Sequence, residues 1–334
     1  MSAASRLSII PFDPPWFTRG GHAQTLLGYF HRRNLRWTLP TEDLIVESEP
    51  DIRILSRVTW QPGDRAKAPA LILLHGMGGW DASTYMLSMG LHAWAAGYHV
   101  IRMNMRGAGA SFEVCPRLYN AGLEVDLVAM ARRVAGVTPR VVLFGASLGA
   151  NHVLLALGRS KVALPIEVKA AVAVSPPVDL LSCSDALHSP GNRVYVSRFV
   201  ADLKASYVRI QERSQGFYAA GREVGVRTVR EFDEKITAPY AGFASAEDYY
   251  TRSSSGPWLR GIDRPTLIIS AEDDPMIPGD SVRKFALPSA GTVTLEMLPT
   301  GGHVGFAART EAPGRFWVAG RALAFLNREL DRLD

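Results

Sequence analysis

Residues 70–74, 141–144, 168–174 and 266–270 are short, almost unbroken apolar runs, and 100–105 and 293–298 are further strand-like runs rich in apolar residues. A strand that is apolar at nearly every position, rather than at alternate ones, is covered on both faces. Between these runs lie stretches with the 3.6-residue spacing of an amphipathic helix: 83–96, 123–134, 148–157 and the terminal 316–330. In 123–134, for example, Leu123, Leu127, Met130 and Val134 share one face. Gly97 and Gly158 close two of the helical stretches, where a C-terminus favours glycine. Upstream, 44–48 and 52–60 read as two further β-rich runs joined at Pro50-Asp51.

Strands alternating with helices predict an α/β fold with a mostly parallel sheet and helices on both faces. In such sheets a ligand site lies at the carboxyl ends of the strands. One stretch breaks the rhythm. Residues 176–264 separate two sheet strands by far more chain than a usual crossover needs, and 194–211 carries a helical pattern of its own. The expected division is an N-terminal arm over 1–40 with one short helix at 24–30, a core over 41–175 and 265–334, and an inserted cap over 176–264. The insertion is expected to roof the site, and Phe199 and Tyr207, among its aromatic side chains, either reach the pocket or face the cap's own core.

Composition narrows the reading. The chain has 334 residues, 47% apolar and 21% charged, which excludes a disordered or coiled-coil protein. Its 37 basic and 32 acidic residues leave a net charge of +5, scattered without long runs of one sign. That is not the footprint of a nucleic-acid binder. No apolar run is long enough to span a bilayer, and residues 1–15 lack the pattern of a secretory signal. The expectation is a cytoplasmic protein with Cys115 and Cys183 as free thiols. No P-loop, no complete dinucleotide fingerprint and no paired Cys/His motif is present, so neither a cofactor nor a metal is expected.

Gly145-Ala146-Ser147-Leu148-Gly149 is a G-x-S-x-G pentapeptide between an apolar run and a helical stretch. That strand–turn–helix context is what a nucleophile elbow requires, because the chain must reverse sharply with the serine at its apex. A serine hydroxyl is a weak nucleophile and needs a base. His303 is the candidate, in a glycine-flanked loop after the last strand. The base in turn needs a carboxylate to fix its tautomer and stabilise its cation. Glu272-Asp273-Asp274 follows the preceding strand, and Asp274 is favoured because Pro278 stands four residues on. Asp273 is the runner-up, with hydrogen bonding of turn amides as its other role. His75-Gly76-Met77-Gly78-Gly79 follows the first core strand, where such folds supply an oxyanion-hole amide. The assigned donors are the backbone amides of Met77 and Leu148. His75 and Arg106 are read as structural.

These residues resemble the YheT-like branch of the α/β-hydrolases, a group related to eukaryotic abhydrolase-domain lipases and yeast ethanol acyltransferases. The resemblance runs from about residue 11 to 326. Its markers are Gly21-His22-Ala23-Gln24-Thr25, His75-Gly76, Asn104-Met105-Arg106-Gly107 and the elbow. Further on come Arg230-Glu231-Phe232-Asp233, Asp248-Tyr249-Tyr250, Asp273-Asp274-Pro275 and the Gly301 to Phe306 loop. The resemblance implies an α/β-hydrolase fold and a triad of Ser147, the second acid of the Asp pair, and His303. It also implies acyl esters of lipids as substrates. The expected function is therefore a cofactor-free serine hydrolase that cleaves small-molecule carboxylic esters through an acyl-enzyme. Acyl transfer to an alcohol and non-catalytic ligand binding on the same scaffold are the alternatives. Peripheral contact with lipid or membrane, and the oligomeric state, are not decided by the sequence.

Overall fold

The computed structural model describes residues 11–18, 20–32, 34–309 and 315–333. The first ten residues of the expected arm, and with them most of the stretch tested for a signal, lie outside the described residues. The strands are β1 (Glu42–Glu49), β2 (Ile52–Thr59), β3 (Ala70–Leu74), β4 (His99–Met103), β5 (Val141–Ala146), β6 (Val168–Val174), β7 (Thr266–Ala271) and β8 (Val293–Leu298). They form one sheet in the order β1-β2-β4-β3-β5-β6-β7-β8. β1, β2 and β4 pair antiparallel, and every pairing from β4 through β8 is parallel.

The unbroken apolar strands are explained by two separate cores, one on each face of the sheet. In β3, Ile72 and Leu74 point into the core shared with the helices Glu124–Ala135 and Leu148–Gly158. Leu71 and Leu73 point into the other, which is filled from the helices Thr84–Ala95 and Trp317–Asp331. Neighbouring side chains on a strand face opposite ways, so burial on both sides demands an apolar residue at each position.

Residues 176–264 contribute no strand. They carry the helices Leu180–Leu187, Arg193–Arg213 and Ala246–Ser253 with shorter turns between them. Tyr207, Ile210, Tyr218 and Phe232 of this segment pack together with Phe112 in a small third core. The arm holds a longer helix than expected, Gly21–Arg32.

Candidate active site

β5 leads straight into the helix Leu148–Gly158, and Ser147 between them adopts φ 54° and ψ −124°. A non-glycine residue in that region is strained and persists only where its surroundings impose it. Two glycines make the turn possible. A Cβ on Gly145 would lie 2.3 Å from the Gly149 carbonyl oxygen, and one on Gly149 would lie 2.3 Å from that of Leu74. The turn is thus pressed against the end of β3, and the serine hydroxyl stands at the carboxyl edge of the sheet.

The loops after β7 and β8 converge on that hydroxyl. His303 Nε2 is 2.9 Å from Ser147 Oγ, and His303 Nδ1 is 3.0 Å from Asp274 Oδ2. The other Asp274 oxygen accepts the amides of Met276 and Ile277 at 2.9 and 3.0 Å. Asp273 points elsewhere. Its Oδ1 accepts the amides of Gly301 and Gly302, both at 2.9 Å, and its Oδ2 accepts the Thr300 hydroxyl at 2.5 Å. The two adjacent acids therefore divide the work: Asp274 meets the imidazole, and Asp273 shapes the loop that carries it.

The amides of Met77 and Leu148 donate to no protein acceptor among the described residues. Both residues line the cavity beside Ser147. The loop that carries Met77 is braced from behind. Its Gly76 amide donates to the Tyr85 hydroxyl at 2.8 Å, and its Gly78 amide donates to the Tyr119 hydroxyl at 2.9 Å. His75 is buried, with Nδ1 2.8 Å from the Gly76 carbonyl and Nε2 accepting the Met105 amide at 3.1 Å. Burial pushes its pKa down to about 4, so it is a neutral strut at physiological pH. Arg106 is engaged by Asp126 through two nitrogens and by Glu49. Cys115 and Cys183 are free and buried.

Sequence reasoning missed the role of the arm. Gln24 is buried and closes a two-way bridge to Ala307, accepting its amide at 2.8 Å and donating to its carbonyl at 3.3 Å. Thr25 Oγ1 accepts the His303 amide at 2.8 Å. Arg32 donates to the carbonyls of Val304 and Gly305 at 3.0 and 3.1 Å and lies 4.5 Å over the Phe316 ring. The arm helix thus grips the His303 loop along its length. The only sequence signal was the Gly21-to-Thr25 motif, which carried kinship but no chemistry.

A cavity of about 850 Å³ opens over Ser147 and His303. Its walls come from the arm, the sheet loops and the segment 176–264, with Leu26, Met77, Leu118, Phe199, Phe232 and Met276 among the apolar contributors. That volume is typical of small-molecule sites. Of the two expected roof residues, Phe199 lines the cavity. Tyr207 does not: its hydroxyl donates to the Ala219 carbonyl at 2.6 Å and its ring is sealed in the third core. The helix Arg193–Arg213 serves two cores at once, and the sequence did not separate its faces.

Residues 69–309 match the model of the alpha/beta hydrolase fold family. The chain is an α/β-hydrolase. It is 31% identical over 318 residues to YheT of Escherichia coli, an esterase by name, covering 93% of this chain and 91% of that one. This places the hydrolase in the YheT-like branch. It is also 31% identical over 274 residues to a monoacylglycerol lipase of Saccharomyces cerevisiae, covering 79% of this chain and 60% of that relative. Among solved structures, the esterase Pf2001 of Pyrococcus furiosus shares the fold at a TM-score of 0.56 and 17% identity, over 88% of this chain and 96% of that one. No helix among the described residues is long and apolar enough to cross a membrane.

Proposed function

We propose that the protein is a serine esterase whose triad is Ser147, His303 and Asp274. The observation that carries this reading is the unbroken hydrogen-bonded line from Asp274 through His303 to Ser147 at a strained elbow. His303 takes the serine proton as Oγ attacks the ester carbonyl, and Asp274 stabilises the imidazolium that results. The carbonyl oxygen becomes an oxyanion held by the amides of Met77 and Leu148. Each such donor contributes about 3 kcal/mol to the transition state. His303 then protonates the departing alkoxide, leaving an acyl-enzyme, and water activated by the same histidine releases the acid.

The substrate class follows from the walls. A largely apolar cavity accommodates an acyl chain, and the lipase name of the yeast relative supports a lipid-like ester. The segment 176–264 acts as a cap, since Phe199 and Phe232 reach the cavity from it. The reading is tested with a fluorophosphonate probe and a series of p-nitrophenyl esters. The parent is expected to be labelled and to turn over esters, and Ser147→Ala to do neither while melting at the parent temperature. Labelling that moves to another serine, or persists in Ser147→Ala, would refute the assignment.

A further inference from the structure

The cavity has a polar wall that the triad does not use. Asp233, from the Arg230-to-Asp233 motif, lines it and is buried. The neighbours that act on its carboxyl are hydroxyls: Tyr250, which donates at 2.7 Å, and Thr237. No cation pairs with it among the described residues. Ser184 lines the same wall, and its buried Oγ forms no hydrogen bond of good geometry.

Such a group is costly as mere packing. A carboxyl offers about four acceptor positions, and two hydroxyls leave part of that capacity unused in a low-dielectric site. Burial also pushes the Asp233 pKa up to about 6, so both of its protonation forms lie within reach near neutral pH. The wall is close to the chemistry. Tyr119, whose hydroxyl holds the Gly78 amide of the oxyanion loop, is within electrostatic reach of Asp233.

Resting on the esterase reading, we infer that Asp233, Tyr250 and Ser184 form a hydroxyl-binding subsite, so that the substrate is an ester carrying a free aliphatic hydroxyl. A hydroxyl suits this wall in either state, because it donates to a carboxylate and accepts from a carboxylic acid. A cationic group suits it poorly. Arg32, Arg36 and Arg198 line the same cavity. The hydroxyl belongs either to the alcohol portion of the ester or to its acyl chain, and both sources present the same chemistry to Asp233.

The experiment measures equilibrium binding and kinetics side by side, in the parent and in Asp233→Leu, with Asp233→Asn as the milder variant in case the first folds poorly. Binding uses a non-hydrolysable pair, glycerol 1-octyl ether against octyl propyl ether, so it reads the subsite even if no ester is cleaved. Kinetics use two ester pairs: 2,3-dihydroxypropyl against propyl octanoate, and p-nitrophenyl 3-hydroxyoctanoate against octanoate. In the parent, at least one ratio of kcat/KM should favour the hydroxylated member by about ten- to a hundred-fold, the range of a buried hydrogen bond to a charged group. The pair with the larger ratio identifies the source. If the source is the alcohol, the ether pair shows the same preference. In Asp233→Leu that preference should fall to near one, and in Asp233→Asn to an intermediate value. A parent without preference in any pair would overturn the inference, as would a preference that survives both substitutions or a stronger preference for a choline ester. Failure of the esterase reading looks different: no ester is cleaved and no fluorophosphonate label appears, while the ether pair still reports on the wall.

Discussion

Exchanging each of the adjacent acids for asparagine separates two roles that lie one residue apart. In Asp274→Asn the side-chain oxygen can keep the amides of Met276 and Ile277, which leaves the NH₂ facing His303 Nδ1. The imidazole must then accept at Nδ1 and carry its proton on Nε2, toward Ser147, where it cannot serve as a base. Triads with that tautomer lose about 10⁴ in kcat, or ~5 kcal/mol of transition-state stabilisation. In Asp273→Asn the oxygen keeps the amides of Gly301 and Gly302, and the NH₂ can donate to the Thr300 hydroxyl. The loss is then the difference between charged and neutral acceptors, about 1 kcal/mol for each of two bonds. A melting temperature lower by about 3 °C and a kcat within tenfold of the parent are expected. The assay is steady-state kinetics on a p-nitrophenyl ester, with active sites counted by fluorophosphonate and melting followed in parallel. The reasoning fails if Asp273→Asn loses as much kcat as Asp274→Asn, or if the latter keeps more than a tenth of the parent rate.

Phe199→Ala should move the preferred acyl chain to greater length in a kcat/KM series. Tyr207→Ala should leave the preference in place while costing about 3–5 kcal/mol of stability by urea unfolding, as an aromatic removed from a closed core does. Gly149→Ala drives a methyl against the end of β3 and should yield little folded protein, measured as soluble yield and circular dichroism. His75 is neutral in the fold down to about pH 4, whereas the unfolded chain protonates it near 6.5. Its contribution is therefore present above pH 6.5 and is lost as pH falls toward 4, by about 3 kcal/mol in total. His75→Gln should flatten that limb of a stability-versus-pH curve, whereas Asp233, raised to about 6, contributes in the opposite direction and is unaffected by the substitution.

Where burial dictates residue type, the sequence was easily read. The limits of β3 and β6 coincide with apolar runs, because a strand covered on both faces has little freedom to be polar. The elbow placement of Ser147 was legible because its turn requires glycine on both sides, and the choice of Asp274 as the acid beside His303 rested on its distance from Pro278, a local pattern. Contacts between distant segments leave no such trace. Thr25 meets His303 across 278 positions, and nothing periodic near residue 25 announces it. The arm helix was expected at 24–30 and runs over Gly21–Arg32, and its first residue, Gly21, packs closely on the distant Asp273 carbonyl. Tyr207 and Phe199 lie on one helix and both pack against the third core, but only Phe199 lines the cavity, a distinction that depends on tertiary placement alone.

The grip of the arm on the His303 loop has a consequence for how the enzyme is made. Ser147 leaves the ribosome 156 residues ahead of His303, so the elbow serine exists for some time without the imidazole it meets in the fold. The arm emerges earlier still and must wait for almost the entire chain before Gln24, Thr25 and Arg32 find their partners. Chain growth proceeds at about 5–20 residues per second, and domains form as their segments appear. The line from Asp274 through His303 to Ser147 is therefore among the later features that a nascent chain completes. A fragment that stops short of residue 303 holds Ser147 without the imidazole that stands 2.9 Å from its hydroxyl in the complete fold.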